Sequence, residues 1–390
     1  MPRSLSRTRN GTDIIMQREK PGLYIHIPFC QSKCSYCNFY SITSINLIPN
    51  FAAALIKEIK SYQRQFDAFD TIYIGGGTPS VLTSKQLAEI IAAVNKFLKI
   101  DSKTEITLEV NPGDVSVEYF KSLISLGINR LNIGVQSFDD KILKFLGRRH
   151  NANEARQAIL DARAAGFENL GIDLIYGIYG QSINLWKKTL AQAISFRPEH
   201  LSCYQLTLEA NAPLYKKYRE KNIKEPAENR QRKYFFTTAE ELGKAGYIHY
   251  EVSNFARKNN FKSRHNMKYW RHTPYLGLGP AAHSFLENRR WWNVASVKNY
   301  LEKLARGKMP LENKELLTTD QLKLETLFLS LRTSEGVDLK FYRKRFGADL
   351  LADKKNIIEP LINNKLLEVK NGHLRPTIAG MAVADSLALI

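Results

Sequence analysis

Residues 24–41 read YIHIPFCQSKCSYCNFYS and crowd three of the chain's four cysteines, Cys30, Cys34 and Cys37, into eight positions. A CxxxCxxC spacing on a short loop lets three thiolates converge on one inorganic centre, yet supplies one ligand fewer than a closed site needs. Structural zinc is almost always four-coordinate and drawn from paired ligand clusters. An iron-sulfur cube held by three cysteines instead leaves one iron open to an exogenous ligand, and chemistry is expected there. The spacing therefore favours a cluster over a zinc completed by His26 or by the remote Cys203, and over cysteines that are merely buried.

The rest of the composition sets limits around that loop. A chain of 390 residues accommodates about two or three domains, and 44% hydrophobic with 24% charged residues suits a soluble, well-cored protein. Four cysteines, three of them in one loop, make no disulfide framework, and free thiolates call for a reducing compartment, so a cytoplasmic location is expected. No apolar run reaches the length of a membrane span, and the first twenty residues lack the apolar core of a secretory signal. Those residues, 1–20, are rich in Arg and Ser with a first acid at Asp13, and read as a disordered basic tail in which Met16 is an alternative start. The net charge of +19 invites an anionic partner such as nucleic acid, a lipid surface or a carboxylate-bearing ligand. Screening confines each charge to roughly 8 Å at physiological salt, so the dense clusters at 216–224 and 257–272 matter more than the total. Solvated surface is their plainest explanation.

Past the tail, apolar runs rich in β-branched residues (24–29, 71–74, 105–110, 130–135, 169–177, 200–208) alternate with segments of helical period at 51–62, 84–98, 115–126, 153–165 and 185–196. Thr83 or Ser84 suits a helix start, and Gly127 and Gly166 sit where helices should stop. Such alternation implies a parallel sheet with right-handed crossovers, either an open doubly wound sheet or a partial barrel. In both, ligands gather beyond the carboxyl ends of the strands. The cysteine loop follows the first strand, Gly75-Gly76-Gly77-Thr78-Pro79 the second, Glu109-Val110-Asn111-Pro112 ends the third, Gln136-Ser137-Phe138 follows the fourth and Asp173 lies in the fifth. All are expected at one mouth. Taken singly each is weak: a triple glycine is more often a tight turn, and Arg148 and Arg149 after Gly147 suit the end of a helix.

Together, YIHIPFCxxxCxYC, GGGTPS, LEVNP, GVQSF, GIDLIYG, HNMKYW (265–270) and LGLGPAAHS (276–284) resemble the coproporphyrinogen oxidase-like branch of the radical S-adenosylmethionine (SAM) proteins, across roughly residues 22–385. The resemblance implies a partial (β/α)6 radical-SAM barrel. It also implies a [4Fe-4S] cluster on Cys30, Cys34 and Cys37 whose open iron is chelated by SAM, and carries the SAM contacts onto Tyr24, Tyr36, Gly77, Thr78, Glu109, Gln136, Arg148 and Asp173. The oxidases of this branch carry a further cysteine two positions after the third and a longer N-terminal segment; here Phe39 stands at that place and only 23 residues precede the first strand. These departures and the HNxxYW run resemble the heme chaperone group, thought to hand heme to respiratory haemoproteins.

On that resemblance, His265 is the expected heme ligand, with Asn266 orienting its ring, Tyr269 and Trp270 supplying flat apolar surface, and Lys262, Arg264, Lys268 and Arg271 facing the propionates. A packed turn with satisfied hydrogen bonds is the competing explanation, and His272 and His283 are alternative ligands. Cys203 reads as a small buried hydrophobe. The organisation expected is a core at 21–210, a connecting segment at 211–315 holding the HNxxYW run, and a C-terminal, mainly α, winged-helix-like domain at 316–390 with a hairpin turn at Asn371-Gly372 and a helix from Thr377. A lid or docking role suits that domain better than nucleic-acid binding, because its last helix is apolar. A heme chaperone is thus preferred to a SAM-dependent coproporphyrinogen III oxidase and to an RNA-modifying enzyme. A homodimer and transient contact of the basic surface with a membrane are compatible with it.

Overall fold

A computed structural model describes residues 19–387; the basic tail before Glu19, with Met16, and the last three residues lie outside the described residues. Six strands, β1 (Gly22–Ile27), β2 (Phe69–Gly76), β3 (Ile100–Val110), β4 (Arg130–Gln136), β5 (Leu170–Tyr176) and β6 (His200–Gln205), lie side by side in chain order and pair in parallel. Helices α1 (Ile48–Ser61), α2 (Ser84–Phe97), α3 (Val117–Ser125), α4 (Asp140–Leu146), α5 (Ala152–Ala165) and α6 (Ile183–Ser195) fill the crossovers. Their ends follow from local chemistry. Thr83 and Gln86 form a reciprocal capping box at the start of α2, while Gly147 and Gly166 adopt left-handed conformations that close α4 and α5.

The two-residue period of the strands separates two environments. Ile72, Ile74, Leu108, Leu131, Ile133, Ile172, Leu174 and Cys203 join the apolar core beneath the helices. The intervening positions, Thr71, Tyr73, Glu109, Asn132, Asp173 and Ser202, turn to the concave side and are polar. The partial barrel is therefore dry behind its wall and polar inside it.

The stretch 211–315 extends the same sheet at both edges. After α7 (Pro213–Glu220) and α8 (Glu228–Lys244), the hairpin β7 (Ile248–Glu251) and β8 (Asn254–Ala256) pairs beyond β6. A short helix, α9 (Arg264–Trp270), then leads to β9 (Tyr275–Leu278), which runs parallel to β1. Antiparallel β10 (His283–Leu286), β11 (Arg289–Asn293) and, after α10 (Val297–Ala305), β12 (Leu311–Leu316) complete that edge.

The remaining chain has its own core around Leu327, Leu331, Tyr342, Ile358 and Leu374. It comprises α11 (Thr319–Ser330), β13 (Val337–Asp338), α12 (Leu339–Phe346), α13 (Leu350–Asp353), α14 (Lys355–Asn363), β14 (Leu367–Lys370) and β15 (His373–Pro376). The β14–β15 hairpin turns on Asn371 and Gly372, both at positive φ, as its sequence requires. Thr377 caps the next helix as expected, but that helix forms as two pieces, α15 (Ile378–Met381) and α16 (Ala384–Leu387), because Val383 N–H steps back only three residues to Gly380 O. Among the described residues no helix is long and apolar enough to cross a membrane.

Candidate cluster and cofactor site

The cysteine loop leaves β1 and is tied back on itself by a parallel bridge between Phe29 and Ile42, with Cys30 N–H donating to Ile42 O and Ile42 N–H to Pro28 O. Beneath it, His26 is held between the Tyr24 hydroxyl and Tyr40 O, both at 2.9 Å. Burial pushes the His26 pKa down, and the neutral ring serves as a prop under the loop. The triple-glycine turn after β2 is stitched to the same loop, Gly77 N–H donating to Ile27 O and Thr78 N–H to Phe29 O, each at 2.8 Å. A Cβ at Gly77 would lie 2.7 Å from Phe29 O, so only glycine permits this approach. Thr78 Oγ1 then reaches Cys30 Sγ at 3.3 Å.

Arg148 closes the third side. It leaves α4 through Gly147 and donates from Nη1 to Cys34 Sγ (3.4 Å) and from Nη2 to Asn111 Oδ1 (2.6 Å) and Gly134 O (2.8 Å). Its position at a helix end is thus not merely an electrostatic complement to the helix. Together these loops bound a cavity of about 500 Å³ whose wall includes Cys30, Cys34, Cys37, Tyr36, Gly77, Thr78, Glu109, Gln136, Arg148 and Asp173. All three cysteines are free thiols. Tyr24 is absent from that wall; it lies one layer deeper, under His26.

Burial raises the Glu109 carboxyl to about 7; the Tyr73 hydrogen bond opposes that rise and the neighbouring Asp173 adds to it. Burial also raises Asp173, against hydrogen bonds from Ser202 and Asn132, and raises the Cys37 thiol. Two donors on the wall, Asn111 Nδ2 and Arg148 Nε, are buried with no hydrogen-bond partner. Gln136 adopts φ of 65° where the pairing of β4 with β5 shifts register, a strained non-glycine backbone of the sort that gathers at functional sites. Three thiols, unspent donors and a carboxylate pair around one cavity fit a metal-sulfur cluster with an amino-acid ligand carrying both an ammonium and a carboxylate group. Tyr73, Asn111 and Asn132 also line the cavity. Tyr73 and Asn132 occupy inward strand positions, so the period of two carried the signal that would have found them.

The HNMKYW run lies elsewhere. It forms α9, seated on the amino-terminal ends of β1–β3, where Glu105 accepts from the N–H groups of Arg264 and His265. His265 is 1% exposed. Its Nδ1 is paired with Thr71 Oγ1 and its Nε2 with the Tyr269 hydroxyl, both at 2.9 Å. Burial, with Lys268 and Arg130 nearby, pushes its pKa down to about 3. The expected heme role of His265, Asn266, Tyr269 and Trp270 does not fit this arrangement. Both ring nitrogens are occupied, Asn266 joins Ser263 through its backbone N–H rather than orienting the ring, and Trp270 packs under Arg332. The expected propionate partners are committed too: Arg264 and Lys268 pair with Asp70, and Lys262 and Arg271 with Glu335. Among the alternatives, His272 is stacked on Phe285 and faces Glu325 at 3.1 Å, whereas His283 is exposed and stacked on Trp292. Cys203 is buried on the helix-facing side of β6, and burial pushes its thiol up.

Residues 24–193 match the Radical SAM superfamily and residues 317–383 the HemN C-terminal domain. The solved coproporphyrinogen III oxidase (HemN) from Escherichia coli, described as a radical SAM enzyme, superposes with a TM-score of 0.81 at 22% identity, covering 95% of this chain and 90% of that one. It shares the fold. Among sequence relatives, the heme chaperone HemW of Lactococcus lactis subsp. lactis is 33% identical over 95% of this chain and 97% of its own length. The heme chaperone HemW of Bacillus subtilis is 33% identical over 88% and 92%. The chain is a radical SAM protein and belongs to the family of the heme chaperones HemW. Membership in the superfamily implies a [4Fe-4S] cluster and SAM.

Proposed function

We propose that the chain is a heme chaperone of the cytoplasm that carries a [4Fe-4S] cluster and SAM in the cavity at the strand ends, binds heme, and passes it to haemoproteins of the respiratory chain. The observation that carries this reading is the convergence of Cys30, Cys34 and Cys37 with Glu109 and Arg148 on one cavity. Cys30, Cys34 and Cys37 would hold the cluster. When bound, the cluster supplies an electron to the sulfonium of SAM. The chain's own contribution is placement: Thr78 and Arg148 donate to the cysteine sulfurs, the unspent donors of Asn111 and Arg148 suit a carboxylate, and Glu109 suits an ammonium group. Tyr36, Gly77, Gln136 and Asp173 complete the proposed SAM wall, and Tyr24 acts on it through His26.

For heme, His283 offers an imidazole without rearrangement, beside the flat face of Trp292. His265 reaches iron only after one ring nitrogen gives up its partner, Thr71 or Tyr269. Heme titrated into the full chain and into His283→Ala and His265→Ala variants separates the two: the variant lacking the ligand loses the Soret shift, and an unchanged spectrum in both would remove both assignments.

A second reading, oxidative decarboxylation of coproporphyrinogen III, is favoured by the fold shared with the Escherichia coli oxidase. Phe39, 66% exposed on the cavity rim, stands where such oxidases carry a further cysteine. Anaerobic incubation of reconstituted protein with SAM, reductant and coproporphyrinogen III should give no protoporphyrinogen IX; its formation would overturn the chaperone reading. Homodimer formation and transient attachment to an anionic membrane belong to the same proposal, and sedimentation with and without acidic vesicles tests both.

A further inference from the structure

His265 and Glu109 lie on opposite sides of a single side chain. Tyr73, at an inward position of β2, forms part of the cavity wall and donates its hydroxyl to Glu109 Oε1 at 2.7 Å. Its ring stacks on the imidazole of His265, with centroids 5.3 Å apart and planes at 30°. His265 is fixed in turn by Thr71 and Tyr269, and the Tyr24 ring packs against both Tyr73 and His265, at 6.3 and 6.4 Å. The backbone is shaped around this contact. A Cβ at Gly75 would fall 2.9 Å from the Tyr73 ring and 3.0 Å from the Glu109 carboxyl, so nothing larger than glycine leaves the pair together. Thr71, Tyr73 and His265 are all buried, and an aromatic ring in a close-packed interior does not shift unless its neighbours do.

We infer that Tyr73 is a positioning residue for the cavity: held from below by His265, it fixes the Glu109 carboxyl, so the seating of α9 on the barrel floor sets the affinity of the cavity for the ammonium group of its ligand. The inference rests on the reading that SAM binds in this cavity against Glu109. Its consequence is a coupling between the two ends of the barrel. Anything that draws His265 from its seat releases Tyr73 and weakens SAM binding, and bound SAM holds α9 closed by the same factor, because such coupling is reciprocal.

The groups facing Glu109 are Tyr73 and Gly76 N–H from β2, Tyr24 from β1, Arg130 from β4, Asp173 from β5 and Tyr269 from α9. Of these, Tyr73 donates a side-chain hydrogen bond to the carboxylate. Tyr73→Phe keeps the stacked ring and removes only that bond. Anaerobically reconstituted full-length protein, titrated with SAM from pH 6 to 8.5, tests the assignment. Tyr73→Phe should bind SAM about tenfold more weakly near neutrality, the low end for a lost hydrogen bond to a charged group. The pH midpoint of binding should move upward, while cluster absorbance is retained. His265→Gln should weaken SAM by a smaller factor, and the double variant should bind no worse than Tyr73→Phe alone. If His265→Gln does not fold, Tyr269→Phe takes its place. Glu109→Gln separates the failures: wild-type affinity in that variant overturns the SAM reading itself. Loss of binding in Glu109→Gln, with wild-type affinity and midpoint in Tyr73→Phe, overturns the positioning role alone. Full additivity of the Tyr73 and His265 effects also overturns it.

Discussion

The two ends of the barrel use polar residues in opposite ways. At the carboxyl-terminal mouth the chain keeps donors and strain in reserve: Asn111 Nδ2 and Arg148 Nε have no partner, Gln136 sits at positive φ, and three thiols line an open cavity. At the amino-terminal floor, around the His265 ring, those groups are spent on one another, although Trp270 Nε1 on the same helix is buried without a hydrogen-bond partner. Thr71, Tyr269 and Glu105 hold His265, and Asp70 and Glu335 hold the nearby cations. Unsatisfied buried groups cost free energy unless a ligand completes them, whereas a saturated network rigidifies the fold. The mouth is therefore built for a guest and the floor for stability.

Substitutions should divide along the same line. The largest effect is expected from replacing Cys30, Cys34 and Cys37 together by Ser: the reconstituted protein should lose its iron-sulfur absorbance entirely while its far-ultraviolet circular dichroism stays unchanged. Gly77→Ala comes next. Its Cβ would press on Phe29 O and part the glycine turn from the cysteine loop, lowering SAM affinity by more than tenfold in calorimetry with little change in urea midpoint. On the floor the readouts reverse, since His265→Ala should cost about 3 kcal/mol in urea unfolding through a lost ring and two unpaired neighbours, with the cluster still assembled. Arg271→Ala removes partly exposed pairings with Glu335 and Glu19 and should change stability by about 1 kcal/mol or less. A floor variant that abolishes the cluster, or a mouth variant that mainly lowers stability, would break the division.

Acidity offers a finer test. Burial raises the Glu109 carboxyl from 4.5 to about 7. Its contribution to folding is thus fully present below about pH 4.5 and is lost as pH rises through about 7. Binding of an ammonium group needs the carboxylate, so SAM affinity should rise across the window in which that contribution to apo stability falls. Glu109→Gln should flatten both trends.

How much of this was legible in the sequence differs between the two ends for a physical reason. Strands and helices announce themselves through period, and polar residues at strand ends converge on one mouth by topology alone, which is why Cys30, Glu109 and Asp173 could be named together, whereas Arg148, at a helix end, is reached only through the family resemblance. Tyr73 and Asn132 escaped because the two-residue period marks them as facing the side opposite the apolar core without saying whether that side is a cavity or solvent. At the floor the sequence hides the partners for a related reason. His265, Lys268 and Arg271 are neighbours in sequence, but the groups that pair with them, Thr71, Asp70 and Glu335, lie far away along the chain. A cluster of cations next to a histidine therefore resembles a site for an anionic ligand until its partners are seen.

The central claim, that the mouth holds a three-cysteine cluster with an iron open to SAM, is tested most directly by electron paramagnetic resonance of the anaerobically reconstituted, dithionite-reduced protein with and without SAM. The account predicts a [4Fe-4S] signal whose g values shift when SAM is added, and no such signal in the triple Cys→Ser variant. A reduced-cluster signal that SAM leaves unchanged, or one that survives in the triple variant, would contradict it.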